Sequence, residues 1–119
     1  MADLALVELV KEFADCVFAQ SKEKDAKVGN EYARRYTAAF ETLRAVGDEG
    51  REALATLLAD DRAEVRVVAA SCLLRYCGAR ARAVLEKEAA GRGLLAFRAA
   101  QALQRWDEGT WHLDPADSP

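Results

Sequence analysis

Few residues of this chain could do chemistry. Three cysteines, Cys16, Cys72 and Cys77, could ligate a metal, pair as a disulfide or act as nucleophiles. Their odd number and the absence of any C-x-x-C pair leave a zinc site or a disulfide framework unsupported. Cys72 and Cys77 lie in or at the end of an apolar helical stretch, where a free thiol acts as a small hydrophobe. The single histidine, His112, builds neither a triad nor a metal centre. Asp48-Glu49, Asp60-Asp61 and Asp107-Glu108 are paired carboxylates, but they fall at expected helix ends. Capping and helix-dipole partnership account for the first two. GDEG and GRG have neither the spacing of a phosphate-binding loop nor a strand before them. No catalytic, cofactor-binding or metal-binding residue is assigned, and the expected function is non-enzymatic.

A second kind of chemistry is recognition by arginine. Arg98, Gln101 and Arg105 project together from one helix face at i, i+3 and i+7. Arg75 stands thirty residues before Arg105 and is expected beside it. These four are the candidate partner-binding residues. Glu64, Ser71 and Arg75 hold the corresponding arc one copy earlier, and Arg34 and Glu41 the arc before that. Between positions 62 and 105 the chain carries nine basic residues against three acidic ones. That asymmetry can present a basic groove to an acidic partner, or only a solvated face of mixed charge.

Helices must position these side chains. Apolar residues recur at helical spacing almost throughout, and strand alternation is absent. Leu6, Val10, Phe13 and Val17 form the stripe of a first amphipathic helix, capped by Asp3. Positions 21–27 read as its end and a connection. A second helix is expected over 29–46, with Tyr32, Tyr36, Phe40 and Leu43 on its apolar face and Gly47 as its stop. Asp48 is the expected cap of a short third helix facing inward through Leu54, Leu57 and Leu58. Asp61 with Glu64 resembles a capping box for a fourth helix over 63–77, apolar nearly all round and so central. Gly78 is expected to close it. A fifth helix carries Ala83, Val84 and Leu85, and a sixth spans 94–106 and stops before Gly109. Trp106 reads as core, and Trp111 as either a cover for the last hairpin or a contact residue. Residues 114–119 form a short acidic tail after a single domain over 1–113.

A shift of thirty residues brings Ala39, Ala69 and Ala99 into register, and likewise Leu43, Leu73 and Leu103. Val46, Tyr76 and Trp106 share a third position. The second and third copies also match at Ala53 and Ala83, Arg62 and Arg92, Ala70 and Ala100, and Arg75 and Arg105. One hairpin cannot bury its apolar face alone, whereas stacked hairpins bury a continuous core. The expected fold is all-α, a short α-solenoid of about three helical hairpins built from six helices. A plain six-helix bundle is the alternative.

The chain has 119 residues, 51% of them hydrophobic and 31% charged, which is one domain's worth. A net charge of −3 argues against a strongly basic nucleic-acid binder. Asp3, Glu8 and Glu12 interrupt any signal peptide, and no apolar run reaches the ~20 residues of a membrane span. A reducing, cytoplasmic location is therefore expected, with no membrane association.

The stretch 47–76, a helix ending in leucines, an Asp-rich turn and then Val65-Arg66 opening a helix of small residues, resembles a HEAT-like repeat. Val65, Arg66, Ala69 and Ala70, with Leu103, Trp106 and Gly109 in the closing stretch 93–111, resemble a small family of bacterial HEAT-like proteins of unknown function. The resemblance runs from about Tyr32 onward, and its motifs are structural. It implies no cofactor and no catalytic residue, and it puts the second helix of each hairpin on a concave face. It implies a protein-binding module, with an immunity or antitoxin role beside a bacterial toxin as the sharper expectation. A nucleic-acid-binding HEAT-like protein is the alternative. A small-ligand cleft and self-association through exposed ends stay open.

Overall fold

The computed structural model describes residues 3–110. Six α-helices form there: α1 (Leu4–Lys22), α2 (Ala26–Val46), α3 (Asp48–Ala55), α4 (Ala63–Leu73), α5 (Gly78–Ala89) and α6 (Leu94–Asp107). A 3-10 turn, Thr56–Ala59, prolongs α3. No strand occurs among the described residues. The helices pair as three consecutive hairpins in a short all-α solenoid, with α4 touching α1, α3, α5 and α6.

The core follows the thirty-residue register. Ala39, Ala69 and Ala99 are buried, and so are Leu43 and Leu73. Leu103, in the last copy, is partly buried against the same cluster. Small side chains at the alanine position let helix backbones approach, and leucine fills the space beyond. The first hairpin departs from the ideal repeat. Here α1 packs on α3 and α4, while α2 packs on α1 and α3. Phe13 on α1 is fully buried and meets Tyr36 edge-on at 5.5 Å. Trp106 packs on the core as expected.

Several helix ends differ from expectation. The second helix begins at Ala26, because Asp25 caps it by accepting from the N–H groups of Lys27 and Val28. Gly47 (φ 102°), not Asp48, is the N-terminal cap of α3, and Asp48 sits inside the first turn, where its charge meets the helix dipole. The Asp61–Glu64 capping box is replaced. Arg62 is the cap residue of α4, Asp60 Oδ1 accepts from its N–H at 2.8 Å, and Glu64 turns to Lys22. The fourth helix ends at Leu73 and passes through a turn at 74–77, so Gly78 opens α5 rather than closing α4. Asp3 caps α1 as expected. The expectations for Trp111, His112 and the tail lie outside the described residues.

Ion pairs clasp neighbouring helices. Glu12 holds Arg35 between α1 and α2 at 2.9 Å. Lys22 on α1 reaches Glu64 on α4 at 2.8 Å. Arg66 on α4 meets Glu88 on α5 at 2.7 Å. Arg82 on α5 meets Asp107 on α6 at 3.0 Å. Glu52 on α3 takes both Arg80 of α5 and the Tyr76 hydroxyl.

Candidate functional site

A groove of about 370 Å³ runs between α1 and α6 over α4. Its apolar floor is Val17, Val67, Val68, Leu95 and Ala102. Gln20, Ser21, Tyr36 and Ser71 add neutral polar groups, and Arg98, Gln101 and Arg105 rise from α6. These three predicted residues are therefore brought together, as their helical spacing requires. They are joined by Glu64 and Ser71 from the expected arc on α4. Arg75 is not. It lies in the turn after α4 because that helix stops two residues earlier, and it is not among the residues lining the groove. Arg34 and Glu41 are exposed on α2 outside the groove, and Arg34 pairs with Glu31 at 2.8 Å.

The groove's electrostatics are set by what is and is not paired. Among the described residues, Glu64 is the one acidic side chain lining it, and the Lys22 ammonium holds its carboxyl below the usual range. Arg34, Arg35, Arg62, Arg66, Arg80 and Arg82 all have carboxylate partners. Arg44, Arg51 and Arg75 are also engaged. Arg98 and Arg105 have no carboxylate partner among the described residues, and neither has Arg92 in the loop before α6. Arg62, the register counterpart of Arg92, is by contrast bound to Asp60 at 3.0 Å and to Asp15 at 3.5 Å. Burial pushes the Tyr36 hydroxyl up, while the nearby Arg98 charge pulls it the other way. The unneutralised positive charge of this face is thus concentrated at α6.

Nucleophilic chemistry is not favoured at Cys16 or Cys77. Cys16 is buried, and burial followed by Glu12 raises its pKa. Cys77 is raised by burial as well. A protonated thiol is a poor nucleophile and a poor metal ligand. None of the three cysteines is in a disulfide. Among the described residues, no group of three or more His, Cys, Asp or Glu is placed to hold a metal ion.

A second groove, of about 480 Å³, lies between the first half of α1 and α3. Leu6, Val7, Val10 and Ala53 line it, with Asp3, Glu49 and Glu52 around them. Two of its acids are engaged, Asp3 in capping α1 and Glu52 with Arg80 and Tyr76. The two ends of the stack carry exposed apolar residues, Leu4 and Val7 on α1 and Leu94 and Phe97 on α6. No helix among the described residues is long and apolar enough to cross a membrane. The sequence placed the α6 residues but not Gln20, Ser21 and Tyr36, which long-range helix packing brings to the groove. Compared with known proteins, the chain matches no family model, no curated protein and no solved structure.

Proposed function

We propose that the protein is a non-enzymatic, HEAT-like protein-binding module that holds its partner in the α1/α4/α6 groove. The observation that carries this reading is the pair Arg98 and Arg105. They stand over an apolar floor without carboxylate partners among the described residues, in a protein that pairs most of its other arginines. Arginine combines apolar contact with directed donors, and it is enriched where interfaces concentrate their energy. An immunity or antitoxin role in a bacterial cytoplasm fits such a module, because neutralising a toxin requires only a tight complementary surface. The resemblance described above supplies that part of the reading.

The test is capture of partners from source cells by the wild-type chain and by an Arg98→Glu, Arg105→Glu variant. Affinities for any captured partner are then measured with purified proteins. The expected result is a partner whose affinity falls at least about tenfold, since two interfacial charge pairs are reversed. A purified partner that binds the variant as tightly as the wild type overturns the groove assignment.

A further inference from the structure

We propose that the groove recognises an extended acidic peptide segment whose two carboxylates lie three residues apart and meet Arg98 and Arg105. This rests on the reading of the groove as an interaction surface and specifies what fills it. Three observations carry it. The first is charge. Among the described residues, the two α6 guanidiniums are unneutralised, and the one acid that lines the groove, Glu64, is already bound to Lys22 at 2.8 Å. A cationic or neutral segment would leave both arginines uncompensated, whereas carboxylates accept from guanidinium in a two-bond fork.

The second is spacing. Arg98 and Arg105 are seven residues apart on one helix, so their Cα atoms are separated by about 10.5 Å along its axis. In a polyproline-II-like chain, residues i and i+3 return to the same face after about 9.3 Å. The flexible arginine stems cover the difference. A pleated strand cannot match this, because its i and i+3 side chains point to opposite faces.

The third is the lining between the arginines. Gln101 stands between them with its side-chain amide unpaired among the described residues, and Gln20 lines the facing wall. The Ser21 hydroxyl donates to the Phe18 carbonyl at 2.6 Å and lines the groove, which leaves its lone pairs as acceptors. An extended chain has no internal hydrogen bonds and needs such partners for its N–H and C=O groups. A helix satisfies its own backbone and would leave these groups unused. The residues between the two carboxylates would rest on Val67, Val68 and Ala102.

The experiment uses the full chain, labelled with nitrogen-15, and capped synthetic peptides. The first probe is Gly-Asp-Val-Leu-Asp-Gly, and its control replaces both aspartates by asparagine. A third peptide is a cross-linked helix with aspartates seven residues apart, and a fourth probe is an oligothymidylate. Saturable shifts of the Arg98 and Arg105 Nε–H signals are expected with the first peptide. Affinity should fall about tenfold for the asparagine control, as loss of two exposed ion pairs implies. The same loss is expected for an Arg98→Gln, Arg105→Gln variant whose circular dichroism and thermal unfolding match the wild type. Equal binding of the asparagine control overturns the proposal, as does tighter binding of the helix or of the oligothymidylate. A protein partner that needs Arg98 and Arg105 but binds equally after its own acids are neutralised would also overturn it, while leaving the proposed function standing.

Discussion

Arg66 Nη2 lies 2.7 Å from Glu88 Oε1, and the same guanidinium donates to the main-chain carbonyls of Asp60 and Asp61. One side chain thus ties the turn before α4 to the far end of α5. The pair is largely shielded from water, with side chains 27% and 19% exposed. Arg66→Ala removes three charge-assisted bonds and leaves a shielded carboxylate behind. It should cost about 2 kcal/mol of unfolding free energy in urea titrations. Arg66→Lys keeps the charge but not the fork, and should recover about half of that.

Gly50 and Leu43 explain where α3 can sit on α2. A Cβ built on Gly50 would overlap the Leu43 carbonyl oxygen and come within 2.7 Å of its carbon. The obstacle is backbone, so it cannot swing aside. Gly50→Ala should therefore destabilise by about 2–3 kcal/mol, against the helix propensity that favours alanine. Gly29, inside α2, has nothing within 4 Å of the same construction. Gly29→Ala should stabilise by about 0.5–1 kcal/mol. Equal shifts of the thermal midpoint in the two variants would refute the close α2–α3 approach.

How far the sequence reached depends on the range of the interactions concerned. Periodicity located all six helices, because it needs only neighbours three and four residues apart. The alanine and leucine register found the core because it recurs every thirty residues, once per hairpin. Helix ends were harder. Helix α2 starts at Ala26, behind its Asp25 cap, rather than at position 29, and Asp60 rather than Asp61 serves α4, since a cap depends on which carboxylate finds the first free N–H groups. Arg75 was misplaced through the same weakness, since α4 ends at Leu73, two residues before it, which moves it off the helix and out of the groove lining. The wall made by Gln20 and Ser21 follows from the packing of α1 on α4, a long-range contact with no local signal.

The thirty-residue register predicts a graded series. Leu43 and Leu73 are fully buried, whereas Leu103, in the last copy, is only partly so. Leu43→Ala and Leu73→Ala should each cost about 2–5 kcal/mol, and Leu103→Ala about half as much. Denaturant midpoints with an unchanged slope would place the losses in the folded core. A Leu103 cost equal to that of Leu73 would mean that the last hairpin is covered by something further.

Stability should fall at acid pH, for a reason traceable to single carboxylates. Asp60 is held below its ordinary range chiefly by the side-chain hydrogen bond from Arg62, and Glu64 chiefly by that from Lys22. Glu52 and Asp107 are lowered in the same way by Arg80 and Arg82. A lowered carboxyl binds fewer protons in the folded state than in the unfolded chain. Its stabilisation is therefore complete above the unfolded value, at about pH 5 and higher, and is lost as pH falls through the folded value. Burial raises the Cys16 thiol and the Tyr36 hydroxyl, so their contribution has the opposite sign and is lost in alkali. Urea titrations from pH 7 to pH 3 should show a plateau followed by a decline. Asp60→Asn should lower the plateau and flatten the decline, because the group that titrates between the two states has been removed. An Asp60→Asn protein that declines as steeply as the wild type would assign the acid sensitivity to other carboxylates.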